Sequence, residues 1–321
     1  GAESSRKTRA FDKPHQPRSN ILIPIAVVVL CIIFQSGNSN FLTIKNWTNI
    51  GRQQASLLIA AVGQTFVILT GCIDLSQGSM VGLVSVMTAD IAIEYGFPAA
   101  VGAAILLGVV VGVSQGFLVA KAKIPAFIVG LGFMNILRGA AYLYCNGMPI
   151  SGLPAIYSAI GANSVLGLPI PLVIAVFLML VGWVILRRLT VGRNVYAVGG
   201  NEEAARLAGI DVVKIRIFVY IVSGILTAIA GVLQTARVSV GQCTLGEGLQ
   251  MQAIAAAVIG GTSMSGGQGN CLKTFLGVLI MAIISNGLNL LRVSSYTQTV
   301  VSGIIIIVAV AIDVLGKKRK V

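Results

Sequence analysis

The chain has 321 residues, 56% of them hydrophobic, with 23 Lys+Arg against 10 Asp+Glu and a formal net charge of +13. Soluble domains are about a quarter charged, so the composition excludes a soluble protein, and apolar spans of about 20 residues each leave no room for an extramembrane domain of ordinary size. The 38 Gly exceed the usual ~7%, as expected where transmembrane helices pack backbone to backbone.

Residues 1–19 are polar and basic and form an expected tail set aside from the fold. The apolar stretch Ile21 to Phe34 is followed by no small-residue cleavage site, which marks a retained span and not a signal peptide. Hydropathy and punctuation then place spans near 20–36, 55–71, 78–95, 99–120, 124–144, 166–186, 217–236, 249–262, 271–291 and 297–315. The fold class is all-α: a polytopic membrane protein of about ten transmembrane helices, two of them interrupted or half-spanning. A permease domain over 20–315 lies between the tail and a second basic tail at 316–321.

Ten spans put both termini on one side of the membrane. That side collects Arg6, Lys7, Arg9, Lys13, Arg18, Lys121, Lys123, the cations of 187–216, Lys273, Lys317, Lys318, Arg319 and Lys320, and the other side only Lys45, Arg52, Arg237 and Arg292. The positive-inside bias assigns the rich side, with both termini, to the cytoplasm. The net charge is then orientation and attraction to lipid headgroups. Cations spread over loops do not make a nucleic-acid groove.

Two segments break the hydrophobic pattern in corresponding places. TGCIDLSQGS (Thr70 to Ser79) halts the second span and GGTSMSGGQG (Gly260 to Gly269) halts the short eighth one. Interrupted helices expose backbone polar groups, tolerated at membrane depth only when buried in protein or lining water. Paired interruptions in an early and a late segment point to structural repeats with a substrate path between them. The competing reading is a pair of ordinary Gly/Ser turns.

Candidate path residues are the polar groups within the apolar region: Gln64, Asp74, Ser76, Asn135, Arg138, Ser263, Asn286 and Asn289. Intramembrane charges are costly and functional by default, and Asn135/Arg138 and Asn286/Asn289, spaced by three, share helical faces. Against this stands a structural ion pair of Arg138 with Asp90 or Glu94, and interhelical hydrogen bonding by the amides. The G-x-x-x-G spacings of Gly108, Gly112 and Gly116, and of Gly78 and Gly82, speak to close helix approach and not to substrate.

The longest polar stretch away from the ends is 187–216. Within it Asn201 is placed to cap a short helix, with Glu202 and Glu203 in its first turn, Arg206 later and Gly209 as the stop. A solvated loop helix is the alternative to a docking element. The five Cys (Cys31, Cys72, Cys145, Cys243, Cys271) form no C-x-x-C pair and read as core residues. No G-x-x-x-x-G-K-[ST] loop, H-E-x-x-H or G-x-S-x-G occurs, and the one His, His15, lies in the tail. The chain is therefore not expected to hydrolyse ATP, bind a metal or act as a membrane hydrolase.

In order, TGCIDLSQGS, KIPAFIVGLGFMNILRGAAYL, VGRNVYAVGGNEEAARLAGI, VIGGTSMSGGQG and NGLNLLRVSSYTQTVVSGIIIIVAVAID resemble the permease subunits of ribose-type bacterial ABC sugar importers, from residue 20 onward. The resemblance implies a translocation subunit working as two copies, with ATP and Mg on a separate pair of ATPase subunits. A periplasmic sugar-binding protein would deliver a monosaccharide or similar small polar solute. It assigns Gly199, Gly200, Asn201, Glu202, Glu203, Ala204, Ala205, Arg206 and Gly209, within the segment ending at Ile210, to the element that couples to the ATPase. The sequence departs from the family pattern at Cys72, Gln77, Gln115 and Gln268. Alternatives are a permease of this architecture for a nucleoside, amino acid or quorum signal, or an ion-coupled secondary transporter.

Overall fold

The computed structural model describes residues 19–318. Apart from Ser19, the basic tail expected at 1–19 lies outside the described residues, as does 319–321. A helix covers each of the ten apolar stretches: α1 (Ser19–Gly37), α2 (Ile44–Leu69), α3 (Gln77–Tyr95), α4 (Phe97–Ala120), α5 (Ala126–Cys145), α7 (Ile170–Arg188), α10 (Val212–Val238), α11 (Leu249–Ile259), α12 (Cys271–Leu290) and α13 (Ser295–Lys318). Three short helices, α6 (Ala155–Ala162), α8 (Thr190–Gly200) and α9 (Glu202–Leu207), fill connections between them. A two-residue hairpin of β1 (Ser164–Val165) and β2 (Leu168–Pro169), which pairs Ser164 with Pro169 and Val165 with Leu168, and an isolated antiparallel bridge between Ile150 and Gly241 depart from an all-α fold. Among the described residues, five helices, α4, α5, α7, α10 and α12, are long and apolar enough to cross a membrane.

Local chemistry sets the helix limits. Thr43, Asn201, Asp211 and Asn270 cap α2, α9, α10 and α12 by accepting from backbone N–H groups of the first turn, satisfying donors that have no partner within the helix. α5 and α10 end on residues in the left-handed region, Asn146 and Ser239. Pro98 and Pro171 sit in the first turns of α4 and α7, where a missing N–H costs nothing.

The interior is built on α2 and α10. Every residue of α2 from Ala55 to Leu69 is buried, and α10 lies between α2 and α4. The glycine ridge of α4 carries the α4–α10 seam: a Cβ on Gly108 would stand 2.7 Å from Gly224 O, on Gly112 2.6 Å from Ile221 Cα and on Gly116 2.7 Å from Ile217 Cα. Such approach of two backbones needs hydrogen as the side chain. Gly78 and Gly82 serve a different purpose, admitting the 243–246 loop against α3 instead of another helix.

Candidate translocation site

The first interruption does not simply turn between helices. The Gln77 side chain, at the start of α3, donates to Ala60 O at 3.1 Å. Ala60 lies about 14 Å up α2 from its end at Leu69, at about 1.5 Å per residue. The chain therefore folds back along α2, and α3 begins in the interior.

What satisfies this buried backbone is a side-chain network centred on Asp74. Asp74 Oδ1 accepts from Ser76 N–H at 2.9 Å and from the Ser76 hydroxyl at 2.7 Å, and Oδ2 accepts from the Ser223 hydroxyl at 2.8 Å. Both hydroxyls accept in turn, Ser76 from Gln115 Nε2 at 2.8 Å and Ser223 from Gln77 Nε2 at 3.1 Å. With its amide nitrogen turned toward oxygen, Gln64 donates to Asp74 O at 3.1 Å and to Gln77 Oε1 at 3.3 Å, and accepts from Asp74 N–H at 3.1 Å. All six side chains are buried. Hydrogen-bond direction runs inward from α3, α4 and α10 and terminates on a group that only accepts.

Sequence reasoning singled out Gln64, Asp74 and Ser76, and the structure brings these three together. The remaining members were not grouped with them, although Gln77 and Gln115 are two of the positions that depart from the family pattern. The other candidates lie elsewhere. Arg138 donates to the carbonyls of Cys243 and Gly78, so the expected ion pair with Asp90 or Glu94 does not form. Asp90 instead accepts from the Tyr144 hydroxyl at 2.7 Å. The carbonyls of the inserted 243–246 loop hold the guanidinium. Asn135 is exposed on α5, one turn before Arg138. Asn286 exchanges hydrogen bonds with Asn46 at 2.8 and 3.0 Å, tying α12 to α2, while Asn289 is exposed. Ser263 is buried in the second interruption, where its N–H donates to Gln268 O at 2.8 Å.

The second interruption meets the first. Gly267 N–H donates to Leu69 O at 2.9 Å, and the Tyr196 hydroxyl on α8 donates to Gly269 O at 2.9 Å. Burial, with a smaller contribution from Cys271, pushes the Tyr196 phenol up to about 12, which keeps this donor protonated. Beyond α8, Asn201 accepts from Ala204 N–H at 2.9 Å and opens α9. Glu202 then bridges Arg206 at 2.9 Å and Arg216 at 2.6 Å. Gly209, at φ +82°, reverses the chain into α10. Of α9 only Ala205 is buried, and Leu207 is 85% exposed. The helix projects from the end of the bundle at which α2 finishes.

At the opposite ends of α2 and α10 lies a wide opening. A cavity of 650 Å³ is bounded by α2, α11, α12 and α13, with Gln54, Gln252, Ser285, Gln298, Thr299 and Ser302 among its walls. A neighbouring one of 220 Å³ shares Gln54 and Gln252 with it and adds Gln53, Gln234 and Arg237, while Glu247 borders both. Gln234 Oε1 is buried with no hydrogen-bond partner among the described residues. None of these residues was among the sequence candidates; the recurrence of Gln at 53, 54, 234, 252 and 298 in otherwise apolar surroundings was the available signal.

Residues 46–310 match the family described as branched-chain amino acid transport system / permease component. The chain is 44% identical over 294 residues to the ribose import permease protein of Escherichia coli (strain K12), covering 90% of this chain and 92% of that one. It is 41% identical over 295 residues to the ribose import permease protein of Bacillus subtilis (strain 168), covering 90% and 91%. To the D-allose transport system permease protein of Escherichia coli (strain K12) it is 36% identical over 296 residues, covering 92% and 91%. No solved structure matches. With a family match from α2 into α13 and relatives aligned along nine-tenths of its length, the chain belongs to this family of multi-pass membrane permease components.

Proposed function

We propose that the chain is the translocation subunit of an ATP-driven importer that carries a monosaccharide or similar small polar solute across the bacterial inner membrane. The observation that carries the reading is the cleft, in which Gln, Ser and Thr side chains are set among Leu, Ile and Met. Its 650 Å³ lies within the range of about 300–1,000 Å³ typical of small-molecule sites, and its Gln, Ser and Thr side chains both donate and accept, as sugar hydroxyls do. Relatives named for ribose and allose import, matched over about nine-tenths of each chain, support the same class of cargo. Ten spans with both termini in the cytoplasm put the cleft on the outer side, where a periplasmic binding protein would deliver solute, and α9 on the inner side. There α9 would dock on an ATPase subunit carrying ATP and Mg. Two copies of the chain would form the transporter, with the exposed apolar faces of the outer helices against lipid.

The working cycle follows from differential affinity. A gate changes state only if something binds one state better than the other, so receptor docking on one side and the nucleotide state of the ATPase docked on α9 must supply the bias. The cleft itself is best served by weak binding, which permits release.

A second reading, import of an amino acid, is favoured by one feature: Arg237 and Glu247 both border the 220 Å³ cavity and offer opposite charges to a zwitterion. The family description points the same way. Reconstitution in vesicles with the cognate ATPase and receptor separates the readings. We expect uptake of radiolabelled monosaccharide that requires ATP and is untouched by ionophores. Uptake driven by an ion gradient without ATP overturns the importer, and competition by branched-chain amino acids but not sugars overturns the cargo.

A further inference from the structure

We propose that Gly199 is a positioning residue that locks the two interrupted segments to α9, so that all three move as one body; this rests on the importer reading above. The basis is a three-way contact made by backbone alone. A Cβ on Gly199 would overlap the Leu69 carbonyl oxygen and stand 2.6 Å from Gly267 N, and those two atoms are the partners of the hydrogen bond that joins the interruptions. Gly199 thus lies directly against that bond, with no room for a side chain. From the other side, a Cβ on Gly266 would be 2.8 Å from Gly199 O and 2.9 Å from Gly71 N. A Cβ on Gly267 would be 2.8 Å from Gly200 Cα. Both Gly266 and Gly267 have positive φ, +82° and +72°, a conformation that other residues adopt only at a cost.

The mechanical consequence follows from what is missing between the segments. Side chains packed between two elements can change rotamer and absorb a small displacement. Backbone against backbone cannot, because close-packed interiors transmit strain instead of yielding. Asn201, the cap of α9, follows Gly199 by two residues, and the Tyr196 hydroxyl pins the previous turn of α8 to Gly269 O at 2.9 Å. A push on α9 therefore reaches the end of α2 and the start of α12 together, without slack. The same geometry divides the Gly199 to Gly209 run into two tasks: α9 faces outward, and Gly199 faces the bundle.

Gly102 supplies the control. It lies on α4 away from the coupling segment, exposed, at ordinary φ, and a Cβ there meets nothing within 4 Å. In the reconstituted importer, Gly102→Ala is expected to match wild type in ATP hydrolysed per solute moved. Gly199→Ala is expected to keep hydrolysing ATP while that ratio rises about fivefold or more, in the range of a lost allosteric coupling, and stimulation by loaded receptor disappears. Equal ratios for the two variants overturn the proposal. Should Gly199→Ala fail to insert, a thiol crosslink decides. Gly200→Cys with Gln268→Cys places two exposed residues next to each other across the junction. Bridging them with a short bifunctional reagent is expected to leave uptake at the level of the single-cysteine controls, since the two positions do not part during the cycle. Abolished uptake on bridging overturns the lock. ATP-independent uptake by wild type would instead overturn the importer reading; the crosslink reads uptake whatever drives it and so tests the lock separately.

Discussion

Asp74 is the residue on which the interior polarity turns. Its carboxylate accepts at every contact, and Ser76 and Ser223 are each committed as donor to it and acceptor from a glutamine. Asp74→Asn reverses one member: an amide nitrogen facing Ser223 or Ser76 can only donate, and the hydroxyl it faces loses the acceptor for its own proton. An unsatisfied buried group costs about 1–3 kcal/mol. Asp74→Asn should therefore lower the midpoint of thermal unfolding in detergent and impair uptake, whereas Asp90→Asn, at an exposed position with a Tyr144 hydroxyl as partner, should change neither; equal tolerance of both would refute the network's role. The sequence disclosed Asp74 because an acid in an apolar setting is conspicuous. It did not disclose Ser223, which is 149 residues away and looks like any serine in a transmembrane helix. Arg138 misled for the complementary reason: charge arithmetic proposes a carboxylate partner, and carbonyl groups, which every residue carries, leave no trace in composition.

Helix α9 was readable almost residue by residue, because capping and stop signals are local. Asn201, the acidic first turn and Gly209 all appear where the spacing puts them. Replacing Asn201 by Ala removes the cap at a cost of about 1 kcal/mol, and Gly209→Ala forces a left-handed backbone at about 1–2 kcal/mol. Both should lower receptor-stimulated ATP turnover in the reconstituted complex without loss of membrane insertion. Exchange of the Ala204 amide, measured by mass spectrometry, should quicken in Asn201→Ala. At the start of α10, the Lys214 backbone N–H and then its side chain hold the exposed Asp211 carboxyl below its ordinary value. A depressed carboxylate contributes while ionised, so its support for this helix start persists above the usual carboxylate range and is lost as pH falls through the lowered value. Protection factors at Val212 to Lys214, with the intrinsic pH dependence of exchange divided out, should stay constant from neutral pH down to that range and fall only below it. By contrast, α8 gave no sign of its contact with both interruptions, since a Gly pair has no sequence property that says what it touches.

At the scale of the molecule, hydropathy marked where helices lie but not which are interior. The boundaries agree closely at α3 and α12 and least at α2, which begins at Ile44 and not near 55, because Asn46, Asn49, Arg52 and the following glutamines masked its first turns. Of these, Gln53 and Gln54 border the cleft and its neighbour, and Asn46 makes the tie to Asn286. Gln54→Leu or Gln252→Leu, on opposite walls, should raise the solute concentration needed for half-maximal uptake while leaving ATPase activity in place; unchanged uptake by both would exclude the cleft as the route. The α4–α10 seam is as exacting. Gly112→Leu, facing the Ile221 backbone, should prevent assembly of the bundle altogether, seen as loss of the monodisperse peak in detergent.

Helix α2 carries a further implication, for biogenesis. Among the described residues it holds the longest unbroken buried run of any helix, Ala55 to Leu69, yet it is not among the five that pass on length and apolarity, so it gains little by leaving the translocon for lipid on its own. Its shelter is α10, synthesised well over a hundred residues later. Ribosome-stalled nascent chains that stop before Val212 should leave an engineered glycosylation or thiol-labelling site near Ile44 reactive on the wrong face, and chains extended past Val238 should not. Insertion of this protein is, in that sense, a folding event that the ribosome must nearly finish before the earliest interior helix can settle.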